Sequence, residues 1–166
     1  QDLRNNYPFG TFAVPRDNIA RVHASSGTTG QAVVVGYTQY DLDVWAELMS
    51  RCLVASGVRP QDVVHVAYGY GLFTGGLGAH DGATKLGCMV VPASGGPTRR
   101  QVGLIRDLGA TVLACTPSYA MHLWEVGMEN GINFRDLPLR VGVFGGEPWT
   151  ESMRQTMEDK MGIDAH

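Results

Sequence analysis

Apolar residues along this chain recur with two periods, and the periods take turns. Val63 to Tyr68, Cys88 to Pro92, Thr111 to Cys115 and Leu139 to Phe144 are short apolar runs rich in valine, the pattern of buried strands. Between them the spacing shifts to 3.6 residues. Leu42, Trp45, Leu48, Met49, Cys52 and Leu53 fall on one helical face, and Val102, Ile105 and Leu108 on another. Thr38 with Asp41 three residues later reads as a capping box, with Asp in place of the usual Glu, and Gly57 and Pro60 end that helix. A helix carrying Ala79, Ala83 and Leu86 leads into the Cys88 strand. Another opens at Pro117, a favoured first-turn position, and carries Leu123 and Trp124, while Glu151 to Met161 predicts the last. Residues 19 to 24 and 33 to 38 predict two short antiparallel strands around a loop. Residues 1 to 18, polar and Pro-containing, read as an irregular segment anchored by Tyr7, Phe9 and Phe12.

Strands alternating with helices of this length imply βαβ units, so the expected class is α/β, a partly parallel sheet flanked by helices. Ligands of such sheets bind beyond the carboxyl ends of the strands. Three Gly-rich segments, 69 to 78, 93 to 96 and 145 to 146, occupy those ends. The chain has 22 glycines in 166 residues, roughly twice the average usage of about 7%, and their position at strand ends predicts close backbone approach to a ligand. Residues 1 to 166 read as a single domain, long enough to bury a core.

Charge narrows the partners. The net charge is −3 and the largest basic cluster is the pair Arg99-Arg100, which argues against a nucleic-acid partner. No apolar run approaches the roughly 18 residues of a membrane span, and no signal peptide opens the sequence, so no membrane partner is expected. Cys52, Cys88 and Cys115 lie in apolar stretches without metal-ligand spacing. They read as buried free thiols of a reducing compartment, which points to the cytoplasm.

Four stretches carry candidate chemistry. In Ser25-Ser26-Gly27-Thr28-Thr29-Gly30, small residues and four hydroxyls can curl so that backbone N–H groups converge on an anion; the alternative is an ordinary Ser/Gly hairpin loop. It is not the G-x-x-x-x-G-K-[ST] ATPase loop, because no Lys follows Gly30. Gly69 to Gly75 can be read as a G-x-G-x-x-x-G dinucleotide fingerprint, but that requires an acidic residue after the next strand, where Ala93-Ser94 stand. Tyr68 and Phe73, taken by themselves, read as core residues beneath the loop. Gly145-Gly146-Glu147-Pro148, taken by itself, reads as a plain strand-to-helix turn, with Glu147 favoured by a helix N-terminus. His23, His65, His80 and His122 have no metal-site spacing. His80 reads as a helix-start histidine with a local hydrogen bond, or faces the site. No Ser-His-Asp order emerges to support hydrolase chemistry.

SSGTTG between ARVHA and VVVGYT resembles the phosphate loop of the AMP-forming acyl-CoA ligases. YPFG-x-FAVP before it and GYGLFTGGLGAH after it resemble the phenylacetate–CoA ligase family. The resemblance implies a fragment of the large N-terminal domain of an adenylate-forming enzyme. It assigns Ser25 to Gly30 to the phosphates of ATP, Tyr68 and Phe73 to the pocket for an aryl acid, and Gly145, Gly146, Glu147 and Pro148 to the adenosine turn. Where the family usually continues with Lys-Pro, this chain has Gln31-Ala32, which implies weaker ATP affinity. The implied reaction joins phenylacetate or a related acid to coenzyme A through an acyl-adenylate, with Mg2+ accompanying ATP. The family's magnesium-binding Glu, its catalytic Lys and its small C-terminal domain would lie outside residues 1 to 166. A nucleotide- or acid-binding module without catalysis is the other reading. If a partner strand is missing beside Leu139 to Phe144, that open edge predicts a homodimer.

Overall fold

The computed structural model describes residues 2–25, 30 and 32–166. After a short helix α1 (Asp2–Asn5), strands β1 (Arg21–Ala24) and β2 (Val34–Tyr37) form the expected antiparallel hairpin, with Arg21 opposite Tyr37 and Ala24 opposite Val34. Helix α2 (Gln39–Ala55) opens on the expected capping box: the Thr38 hydroxyl accepts from the Asp41 N–H at 3.2 Å, and the Asp41 carboxylate accepts from the Thr38 N–H at 2.8 Å. Both orphan donors are thereby satisfied.

The main sheet contains β3 (Val63–Val66), β4 (Met89–Val91), β5 (Val112–Cys115), β6 (Val141–Phe144) and β7 (Asp164–Ala165) in the order β4-β3-β5-β6-β7, with every pairing parallel. The connecting helices are α3 (Gly75–Leu86), α4 (Thr98–Asp107), α5 (Pro117–Glu129) and α6 (Glu151–Met161). The chain runs outward from β3 to β4, then crosses back to β5 and grows the other way. That reversal between β3 and β5 is a topological switch point, where open α/β sheets open a crevice for ligands.

Side chains sort by the two-residue strand period. Val64, Val66, Val112, Ala114 and Val141 point to one face, into a core with Leu53 of α2 and Ala79 and Ala83 of α3. Leu113, Cys115 and Phe144 point to the other, against Val102 and Ile105 of α4, Leu123 of α5 and Met157 of α6. Both faces of the parallel sheet are therefore covered. At the amino ends of the strands Asp62, 4% exposed, accepts from the Arg59 N–H at 2.6 Å and the Thr111 hydroxyl at 2.8 Å, and pairs with Arg140. Burial alone would raise its carboxyl. These donors reverse that and hold it below the usual carboxylate range.

Four expectations need correction. The segment 69 to 78 is not one loop, because α3 starts at Gly75. The apolar stripe of α2 is wider than the surface it meets: Leu42 and Leu53 are buried, while Leu48 is 53% exposed and Cys52 is exposed. Cys88 is half-buried, so Cys115 alone of the three thiols fits the expected burial. The fourth concerns the edge of β6, which is not open. The residues after α6 turn at Gly162 and add β7 in register, Val141 with Asp164 and Gly142 with Ala165, which removes the ground on which a dimer was expected.

Candidate nucleotide and acid site

The carboxyl ends of β3, β5 and β6 enclose a cavity of about 570 Å³, lined by Met49, Leu53, Tyr68, Gly69, Phe73, Thr74, Gly75, Gly76, Ala79, Ala114, Thr116, Val143, Phe144, Gly145 and Gly146. It sits at the switch point, between the segment after β3 and the segment after β6, and its size is that of a small-molecule pocket, about 300–1,000 Å³. The walls are predominantly apolar, with backbone from five glycines.

Tyr68 stands two residues after the end of β3, and its hydroxyl donates to the Gly145 carbonyl at 3.4 Å, joining the two walls. Burial, chiefly, pushes its phenol above its ordinary value, so it stays a donor at neutral pH. Phe73 stands at the rim with 61% of its surface exposed. An exposed phenyl ring at the mouth of an apolar cavity is not a core residue. The structure thus brings Tyr68, Phe73, Gly145 and Gly146 together. Gly146 has φ +89°, a left-handed conformation open to glycine at little cost, and this turns the chain out of β6 beside the cavity.

Glu147 and Pro148 come next, and Glu147 has a defined structural task. Its carboxylate accepts from the Ser118 N–H at 2.6 Å. Thr116, the N-cap residue of α5, makes no side-chain capping bond, so Glu147 supplies the cap from across the sheet. Hydrogen bonding from Ser118 holds its carboxyl below the usual range. The turn after β6 and the start of α5 are thereby fixed to each other. Pro148 is exposed, and the following Trp149 ring packs edge-on to Phe144 at 5.9 Å.

Of the Ser/Gly/Thr loop, Ser26, Gly27, Thr28 and Thr29 lie outside the described residues. Ser25 closes its base: the Ser25 N–H donates to the Val33 carbonyl and the Val33 N–H donates to the Ser25 hydroxyl, both at 3.0 Å. Gly30 is exposed, with φ +139° and open space around its Cα. The base of the loop is tied to the cavity rim, since the Ala24 N–H donates to the Leu72 carbonyl at 2.9 Å. His80 lies in the second turn of α3, where its Nδ1 meets the Tyr70 hydroxyl at 3.3 Å. Burial and then the Asp81 charge push that phenol up to about 12.

The loop after β4 is a further organised element. Ser94 has φ +60°, and the Gln101 amide nitrogen donates to its carbonyl at 2.9 Å while the Gln101 amide oxygen accepts from Nε2 of the buried His65 ring at 2.7 Å. The Ser94 hydroxyl accepts from the Tyr70 N–H at 3.3 Å. Sequence reasoning took Met49 and Leu53 only as the inner face of a helix and did not single out Thr116. The carboxyl-end rule alone could have found Thr116, which follows β5 directly. The share of α2 in the cavity wall depends on how α2 crosses α3, which has no local signal.

Comparison with known proteins decides the family. The family model described as "AMP-binding enzyme" matches residues 6–166. The chain belongs to the AMP-binding enzyme family. It is 58% identical over 164 residues to the phenylacetate-coenzyme A ligase of Aromatoleum evansii, covering 99% of this chain and 37% of that protein. Against the phenylacetate-coenzyme A ligase of Escherichia coli (strain K12) it is 56% identical over 166 residues, 99% of this chain and 38% of that protein. This member of the AMP-binding family therefore spans about 37% of the length of the curated relatives it matches. Among solved structures, a 2-hydroxyisobutyryl-CoA ligase in complex with 2-HIB-AMP and CoA superposes with a TM-score of 0.93 at 32% identity, over 99% of this chain and 36% of that one. An anthranilate CoA ligase in complex with anthranoyl-AMP, 20% identical with a TM-score of 0.72 over 90% of this chain and 29% of that one, shares the fold.

Proposed function

We propose that this chain supplies the acid pocket, the adenosine turn and the phosphate loop of an AMP-forming ligase that joins phenylacetate, or a related aryl acid, to coenzyme A. The observation that carries the reading is the shared cavity, in which the aromatic walls Tyr68 and Phe73 face the Gly145-Gly146 turn. An acyl-adenylate needs such a meeting point, because its acyl half and its adenosine half are joined at a single phosphorus. Tyr68 and Phe73 bind the ring of the acid, and the backbone at Gly145 and Gly146 lets adenine lie flat against the end of β6. Residues 25 to 30 hold the β- and γ-phosphates. Donors aimed at the departing pyrophosphate stabilise the charge that develops there as the carboxylate attacks the α-phosphorus.

Glu147 acts here as a positioning residue, holding the turn against α5. Mg2+ accompanies ATP in this reading. Among the described residues no group of three or more His, Cys, Asp or Glu gathers to hold a metal, so they are given no part in binding it. The cytoplasm is the proposed compartment. None of the three cysteines is paired, in keeping with reducing conditions.

The test uses the whole protein that carries this chain, followed by AMP formation. The Thr28→Val, Thr29→Val double substitution is expected to raise the KM for ATP, since each lost hydrogen bond to a charged phosphate is worth roughly 1.5–3 kcal/mol. Phe73→Ala and Tyr68→Ala are expected to raise the KM for phenylacetate more than that for ATP. Unchanged ATP kinetics in the first variant, or equal losses for every acid together with a lower melting temperature in the others, would overturn the assignment.

A further inference from the structure

We infer that His23 is a positioning residue that locks the acid-pocket rim to the strand feeding the phosphate loop. This rests on the functional reading above. His23 is 2% exposed, and its Nδ1 lies 2.9 Å from the Leu72 carbonyl oxygen. A carbonyl only accepts, so Nδ1 carries the hydrogen and donates. The neighbouring Ala24 N–H donates to the same oxygen at 2.9 Å. Two donors from the end of β1 therefore converge on one carbonyl in the loop between β3 and α3.

Tyr70 anchors the start of that loop, through Ser94 and His80, but beyond Tyr70 little else fixes it. Residues 69 to 74 form no helix or strand, and the Leu72 side chain is 60% exposed, so packing does not hold it. Phe73 is the next residue along. The Leu72 carbonyl therefore sets where the Phe73 ring stands relative to Ser25, two residues beyond His23 in the other direction. The imidazole in turn is held by packing. Its ring meets Tyr37 edge-on at 5.4 Å and Trp45 at 5.2 Å, and those two rings stack on each other at 5.4 Å. Its Nε2 is enclosed without a hydrogen-bond partner among the described residues. A polar ring buried with one nitrogen unsatisfied is a costly way to fill an aromatic cluster; what it provides is the bond at Nδ1.

The consequence is registration. The carboxylate delivered by one loop must meet the α-phosphorus of an ATP whose outer phosphates the other holds, and a misplacement of about 1 Å between reacting groups can cost on the order of a hundredfold in rate. His23 ties the two loops through one shared oxygen.

Two variants separate this role from simple packing. His23→Phe keeps a ring of similar size against Tyr37 and Trp45 but has no donor. His23→Asn loses the ring but can place an amide N–H where Nδ1 was. In the whole protein, His23→Phe is expected to keep its melting temperature and lose about tenfold in kcat for AMP formation. Its KM for ATP and phenylacetate changes far less than kcat. His23→Asn is expected to melt lower yet recover most of kcat per folded molecule. Amide exchange across residues 69 to 74 is expected to quicken in the Phe variant and stay near wild type in the Asn variant. The reverse order, with Phe fully active and Asn slow, overturns the tether and leaves His23 a packing residue. Wild-type protein that forms no AMP with any aryl acid removes the functional reading. In that case the exchange pattern alone still decides whether His23 holds the loop.

Discussion

At the residue scale the chain divides its polar side chains between two ends of one sheet. Asp62, at the amino end of β3, is buried and fully engaged by Arg59, Thr111 and Arg140. Replacing it with Asn leaves the Arg59 N–H and half-exposed Arg140 poorly matched, a loss of about 1–3 kcal/mol. The sign of the pH dependence follows from the lowered carboxyl. The stabilisation is fully present above the unfolded carboxylate value, about 3.9, and is lost as pH falls through the lower folded value. Melting temperatures of the wild type and Asp62→Asn are thus expected to differ by a constant amount at neutral pH and to converge only in strong acid. A gap that closes already near pH 5 would refute this account. Much of the other end was legible in the sequence. Tyr68, Phe73, Gly145 and Gly146 do meet in one cavity. The bond from Ser118 to Glu147 was not legible, because it spans 29 residues and nothing local distinguishes a carboxylate that caps a remote helix from one that caps its own.

At the scale of elements, hydrophobic period found every long helix and the four longer strands of the parallel sheet, since each buries one face and must carry that face in its spacing. It missed β7, whose two residues are too few to show a period. Glycine was harder to read. Gly75, Gly76 and Gly78, assigned to a strand end, lie inside α3, and Gly82 farther along that helix shows a demand for packing. A Cβ on Gly82 would stand 2.5 Å from the Met49 Cβ and 3.0 Å from the Met49 backbone carbon. Gly82→Ala would gain about 1 kcal/mol of helix propensity, but must push α2 away from α3, and overpacking of this kind costs about 1–3 kcal/mol. A net fall in melting temperature is expected, with urea unfolding as the independent measure. A rise would show that the two helices separate freely.

At the scale of the whole molecule, β7 covers the edge of β6 with only two residues. The His166 N–H donates to the Gly142 carbonyl at 2.9 Å, and the Phe144 N–H donates to the His166 carbonyl at 2.8 Å. His166→Pro deletes the first of these donors and is expected to lower the melting temperature of the 166-residue chain. It also exposes the β6 backbone to pairing between chains, raising the mass seen by light scattering as concentration increases. An unchanged mass at every concentration would mean that β7 does not protect that edge. The charged network around Asp62 and the cavity beside Tyr68 stand at opposite ends of β3, six residues apart, on the order of 15–20 Å at about 3.3 Å per residue. Perturbations that far apart and without shared partners combine nearly additively. A remodelled cavity that leaves the protein too fragile can therefore be rescued by strengthening the Asp62 end, without altering what the cavity admits.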